Sequence, residues 1–237
     1  MKRTYLVFLL CIFIVCGILG LTVTDSFDNR SIAVSAEARE NKPCFIIDAG
    51  HGGEDSGALS DNGLLEKDVN LDICLTLEKL LKQSGFDTVM IRTEDVSVHT
   101  NNGESVRERK VSDIYNRVDI ANSDINNILI SIHQNHFSQS EYKGTQVFYS
   151  KNTVDSAKLA ECIRISVTNL IQNDNKRECK KSSGVYLLDN VKVPAVIVEC
   201  GFLSNSEEAA LLSDEKYREN MAYCIYLGLL EYVYLYN

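Results

Sequence analysis

Phe45-Ile46-Ile47-Asp48-Ala49-Gly50-His51-Gly52-Gly53 decides the fold. Three bulky apolar residues, then an acid, small residues, a histidine and two glycines, read as a buried strand ending in a tight loop. Beyond it, 67–83 sets Val69, Leu71, Ile73, Leu75, Leu77, Leu80 and Leu81 on a broad apolar helical face and stops at Gly85, a common helix end. Strand-like runs follow at 88–91, 128–132, 145–149, 185–188 and 195–198, with Pro194 at a strand start, where the missing N–H matters least. Helical patterns cover 105–121, with a narrow stripe of Val111, Ile114, Val118 and Ala121, and 155–172. Ser204-Asn205-Ser206-Glu207 fits a capping box opening a short helix, and 217–234 closes the chain as an amphipathic helix. This alternation of strands and helices predicts an α/β sheet.

The 237 residues are 45% hydrophobic and 24% charged, which permits a sizeable core and argues against disorder. Two prolines leave no Pro-rich linker, so a single domain is the economical reading. With 24 basic against 33 acidic residues the chain lacks the charge balance that displaces counterions from a phosphate backbone, and no nucleic-acid partner is expected.

Lys2 and Arg3 precede an uncharged run over 5–23, the pattern of an export signal. At about 1.5 Å per residue such a helix reaches ~28 Å, close to hydrocarbon thickness, so 1–36 reads as a signal peptide or an N-terminal membrane anchor with its linker. Val34-Ser35-Ala36 offers small residues for cleavage but lies well beyond the apolar run. Either way the body, 37–237, is expected outside the cytoplasm, with membrane contact only through an uncleaved N-terminus. The cysteines at 44, 74, 162, 179, 200 and 224 show no paired spacing and read as buried free thiols.

Two of the four histidines sit where α/β folds place their chemistry, at carboxyl ends of strands: His51, and His133 after Ser131-Ile132. Glu66 opens the first helix and could turn back over the same edge. Two histidines and one glutamate would leave tetrahedral zinc one open position. Glu199 directly follows the apolar run Ala195-Val196-Ile197-Val198, a costly place for an acid unless it is paired, metal-bound or catalytic. Plainer readings stand beside these: Gly-His-Gly-Gly as a tight turn or phosphate loop, His133 as a satisfied core histidine, Glu66 as a helix-dipole partner, Glu199 as an ion-pair partner. His99 falls in a polar loop, and His136 lies close enough to His133 to contact a substrate rather than a metal.

The stretch 46–53, then Gly57-Ala58, Gly63, Glu66-Lys67-Asp68-Val69-Asn70-Leu71, Ile91-Arg92-Thr93, Arg117, Ile120-Ala121-Asn122, Ser131-Ile132-His133-Gln134-Asn135, Gly144-Thr145 and Pro194 through Asn205 together resemble, in order, the zinc-dependent N-acetylmuramoyl-L-alanine amidases of the amidase-3 family. The resemblance implies a mixed, mostly parallel β-sheet flanked by helices on both faces. It also implies one zinc ion per chain held by His51, Glu66 and His133, and Glu199 as the catalytic carboxylate. The substrate would be peptidoglycan, glycan strands carrying stem peptides. The long charged stretch between Arg92 and Arg117, with Lys110-Val111-Ser112-Asp113-Ile114, looks like the spore-cortex subgroup called CwlD, whose members strip peptide before muramic-δ-lactam forms. Gln134, His136 and Ser56 depart from the usual motif, which is expected to alter the substrate edge. Arg117 is expected either to pair with a carboxylate or to reach a substrate carboxylate, and Asn135 to bind substrate or orient its loop. A regulatory protein partner would dock near 173–181 or 96–109. Two alternatives are a non-catalytic wall-binding module and a thiol hydrolase using Cys200 with His133. Zinc affinity is expected to fall as pH drops through the ordinary histidine range near 6.5.

Overall fold

Strand β1 (Cys44–Ala49) runs parallel to both neighbours, β2 (Asp87–Met90) and β3 (Asn127–Asn135). The other strands are β4 (Gln146–Tyr149), β5 (Lys180–Lys181) and β6 (Ala195–Phe202). The six-stranded sheet has the order β2-β1-β3-β6-β4-β5; β6 is parallel to β3, β4 is antiparallel to β6, and β5 is parallel to β4. Helices α1 (Glu66–Gln83), α2 (Val106–Ala121), α3 (Val154–Leu170), α4 (Tyr186–Asn190), α5 (Ser206–Ser213) and α6 (Glu215–Tyr236) complete it. This computed structural model describes residues 43–100 and 105–236; the export segment and linker expected at 1–36 lie outside the described residues. The α/β architecture and the mixed, mostly parallel sheet agree with expectation.

Period-two alternation along the central strands builds two cores, one on each face. Phe45, Ile47, Ile130, Ile132, Val196 and Val198 pack under α1, α3 and α6, the larger core. Ile46, Leu129, Ala195 and Ile197 face the other way, against Val118 and Ala121 of α2 and Leu187 and Leu188 of α4. The same alternation carries Asp48, Ser131, His133 and Glu199 onto the α2 side, where the strands run past the end of the apolar core. Register places His133 directly opposite Glu199 and Asp48 opposite Ser131.

Three local expectations are corrected. The run 185–188 is not a strand: Val185 caps α4, and Leu187 and Leu188 are both buried on one side, which a strand's alternation would forbid. A four-residue apolar run carries too little periodicity to separate the two readings. The turn is closed by Asp189, whose carboxylate accepts from the Gly184 N–H at 2.9 Å. α5 has no capping box at Ser204; Asn205 is its cap, accepting from the N–H groups of Glu207 and Glu208, while the Ser204 hydroxyl accepts from the Phe137 N–H. The box occurs instead at the start of α2, between Ser105 and Glu108. Val111, assigned to the buried stripe of that helix, is exposed.

Candidate active site and metal centre

His51 occupies the left-handed region at φ 62°, strain that a non-glycine residue tolerates only where its surroundings hold it. The holding groups are visible. Arg117 Nη2 donates to the His51 carbonyl at 2.8 Å and the Gly52 N–H donates to the Asp55 carbonyl at 2.9 Å. The strand end before it is fastened by Arg92, which donates to the carbonyls of Ala49 and Gly50, and by Asn70 Nδ2, which donates to Gly50. Two glycines make room for the histidines and the carboxylate. A Cβ at Gly50 would stand 2.2 Å from His133 Nε2, and one at Gly57 would stand 2.5 Å from Glu66 Oε2.

Inside this frame one ring nitrogen from each histidine converges on Glu66. His51 Nε2 lies 3.1 Å and His133 Nδ1 2.9 Å from Glu66 Oε1, and one ligand atom from each of the three residues lies within 4.8 Å of the other two. The other Glu66 oxygen accepts from the Ala58 N–H at 2.8 Å, which fixes the carboxylate in position. Burial alone would raise the Glu66 pKa, but the two imidazoles hold it well below the usual carboxylate range. His51 shows the reciprocal effect: burial pulls it down, yet Glu66 and Asp55 push it up to about 9. Two imidazoles and a carboxylate aimed at one point are a donor set that suits zinc, and the site as shaped fits it.

Glu199 stands beside this cluster on the neighbouring strand. Its Oε2 is buried without a hydrogen-bond partner. Burial lifts its pKa to about 7, with His133 pulling it down and Glu66 pushing it up. An orphaned buried carboxylate costs stability, and such a group at a cavity wall is a mark of chemistry rather than packing. The cavity here measures about 900 Å³ and is lined by His51, His133, Asn135 and Glu199 among others.

Asn135 is half-buried on the cavity wall, its Oδ1 accepting from the His136 N–H. Arg117 is buried and takes the first of its two expected roles: Nε donates to Asp113 Oδ2 at 2.5 Å, Nη1 to Asp48, and Nη2 to the His51 carbonyl. Its guanidinium is engaged within the protein on all three nitrogens, which leaves little for a substrate. Ser131 Oγ donates to Asp48 at 2.6 Å. Burial would raise Asp48, but Arg117 and Ser131 bring it below the usual carboxylate value. His136 is exposed and His99 lies in the 96–100 loop.

Two expectations fail on strand alternation. Cys200 points away from Glu199 into the larger core, fully buried, with its thiol pKa pushed far up by burial, so a Cys200/His133 thiol hydrolase is excluded. Gln134 likewise faces inward, donating to Asn70 Oδ1 at 3.1 Å, so this departure from the motif lies beneath the site rather than at its substrate edge. One residue was not anticipated. Asp55 Oδ2 lies 2.9 Å from His51 Nδ1, the ring nitrogen not turned to Glu66. An acid four residues beyond a histidine in a glycine-rich loop was the available signal. The six cysteines among the described residues are free; Cys74, Cys162, Cys200 and Cys224 are buried as expected, whereas Cys44 and Cys179 are only half-buried.

A family model described as N-acetylmuramoyl-L-alanine amidase matches residues 45–231. The chain belongs to this amidase-3 family. The germination-specific amidase of Bacillus subtilis is 35% identical to it over 188 residues, 79% of this chain and 78% of that protein. The CwlD amidase from Clostridioides difficile, solved in complex with the GerS lipoprotein, is 39% identical with a TM-score of 0.79, covering 82% of this chain and 100% of that one. AmiC2 of Nostoc punctiforme is 30% identical with a TM-score of 0.70, covering 81% and 97%. The sequence resemblance, including the likeness to the spore-cortex subgroup, is thus borne out, and this amidase acts on peptidoglycan.

Proposed function

We propose that the amidase is zinc-dependent, holds one ion per chain through His51 Nε2, Glu66 Oε1 and His133 Nδ1, and uses Glu199 as its catalytic carboxylate. The observation that carries this reading is the convergence of those three donor atoms beside an unpartnered buried acid. Zinc bound there would supply Lewis acidity toward a carbonyl oxygen and lower the pKa of a water molecule. Glu199 takes the proton released as water attacks the lactyl carbonyl of muramic acid, then delivers it to the departing amine of L-alanine. A carboxylate whose pKa sits near 7 serves both directions, first as base and then as acid. Asp55 orients His51 through Nδ1, and Arg117 holds the strained His51 backbone, so both position the site. Asn135, on the cavity wall, binds or orients the substrate.

The biological setting follows from the likeness to the germination-specific amidase and to CwlD: removal of stem peptides from the spore cortex before muramic-δ-lactam forms, hence a part in germination. The chain would be exported to face the wall, cleaved or anchored at its N-terminus. The complex of its relative with a lipoprotein supports a regulatory protein partner here too. Metal analysis of the purified chain, together with digestion of isolated peptidoglycan, tests the reading. Stoichiometric zinc and newly exposed muramoyl lactyl groups are expected; release of peptide that persists after exhaustive chelation would remove zinc from the reaction.

A further inference from the structure

Five cationic side chains line the cavity beside Glu199, and three have their charge cancelled, Arg117 by Asp48 and Asp113. Arg109 pairs with Glu54 at 2.6 Å and Lys110 with Asp55 at 2.8 Å. Arg177, on the segment that leads into β5, and Lys180, the first residue of β5, form no ion pair among the described residues. Yet Arg177 is not a loose surface charge. Its Nε donates to the Lys143 carbonyl at 2.8 Å, and its guanidinium lies 4.8 Å from the ring centroid of Phe202 and 5.9 Å from that of Tyr142. Stacking and the single bond at Nε fix the plane of the fork, while its two terminal nitrogens have no acceptor among the described residues. The segment is moored beside the reacting row: Gln146 Nε2 donates to the Glu178 carbonyl at 2.6 Å, and Gln146 is the register partner of Glu199.

A pre-oriented guanidinium with free terminal N–H groups matches a planar carboxylate, which can take two parallel hydrogen bonds. The substrate has such groups on one side only. The scissile amide uses the amino end of the stem peptide, so the peptide's carboxylates all lie beyond L-alanine. We infer that Arg177, seconded by Lys180, is a subsite that binds a stem-peptide carboxylate and thereby positions the amide against Glu199. The inference rests on the amidase reading and adds to it a requirement for negative charge on the peptide.

The test compares the full chain on isolated peptidoglycan and on the same material after carbodiimide coupling to ammonia has converted stem carboxylates to carboxamides. Wild type is expected to favour the native strands by about tenfold in kcat/KM, mostly through KM, in line with a charge-assisted hydrogen bond that contributes to binding. In Arg177→Met, which keeps apolar length over Phe202, the ratio of native to amidated should fall to about one. Arg177→Lys, which keeps the charge and loses the fork, should fall between. Lys180→Gln, on an exposed side chain whose loss leaves the fold intact, should lower the ratio about twofold. A wild type indifferent to amidation, or an Arg177→Met that slows both substrates equally, would overturn the subsite. Wild type inert on both materials would instead sink the amidase reading itself.

Discussion

Asp55 Oδ2 stands 2.9 Å from Nδ1 of His51, and the other oxygen of that carboxylate accepts from Lys110 Nζ at 2.8 Å. Lys110 and His51 hold the Asp55 pKa down to about 2 against the opposing effect of burial. Asp55 is therefore ionised throughout the working range and keeps the His51 proton on Nδ1, leaving Nε2 as the lone-pair donor. Asp55→Asn keeps the shape and removes the charge. We expect zinc affinity to fall about 10- to 100-fold, the usual cost of losing such a partner, with activity largely restored by excess zinc. Competition with a fluorescent chelator measures the affinity, and an unchanged constant would deny Asp55 this role.

Zinc uptake should release a proton well above the ordinary histidine range. In the metal-free protein His51 is raised to about 9 by Glu66 and Asp55, so at neutral pH its imidazole is charged and must lose a proton before it can bind. Affinity should then drop about tenfold for each pH unit below about 9, beginning earlier than the value near 6.5 expected of an unperturbed histidine. Calorimetry in buffers of different ionisation enthalpy counts the proton. No proton release at pH 7 would contradict the close His51–Glu66 contact.

Glu199→Gln separates chemistry from stability. Turnover should fall by about 10²- to 10⁴-fold while zinc is retained, since the residue serves as the acid–base group and not as a ligand. The folded-state pKa of Glu199 is raised from 4.5 to about 7, so the folded protein binds the extra proton and wild-type stability declines as pH rises through that window. The glutamine variant escapes this decline. In the presence of chelator it should be more stable than wild type at pH 8, by up to about 3 kcal/mol, with the two converging near pH 4. Urea titrations at both pH values check the sign; a variant less stable at pH 8 would mean that the buried carboxylate has a partner in solution.

Much of this site was legible because strand alternation and strand-end placement are local. Ile46, Asp48 and the loop after them had to share one sheet edge with His133 and Glu199 once the order of elements was read. What local reading missed depends on contacts across the fold. Gln134 differs from His133 only by one step along β3, yet that step turns it under the site toward Asn70. The run 185–188 was indistinguishable from a strand until Gly184 and Asp189 closed a turn around it. Asp55 could be seen as an acid in a loop, but its bond to His51 needs the left-handed backbone that brings the chain back on itself.

Arg117→Met tests the scaffold beneath the site. Arg117 and Asp48 are both buried, and Arg117 also donates to Asp113 and to the Ala49 and His51 carbonyls. Removing the guanidinium leaves the Asp48 carboxylate buried without its counter-charge, which costs about 3–5 kcal/mol, far more than loss of an exposed pair. Asp48→Asn in the same background removes the stranded charge and should recover part of that loss. The depressed pKa of Asp48 sets the pH sign: its contribution is present above the ordinary carboxylate value and is lost as pH falls through the lower folded value. The gap between wild type and Arg117→Met should therefore be wide at pH 7 and narrow in acid. Because Arg117 also secures the strained His51 backbone, zinc affinity should weaken alongside stability. Denaturant midpoints for the single and double variants give the coupling energy, and additive effects of the two substitutions would show that Arg117 and Asp48 do not act as a pair.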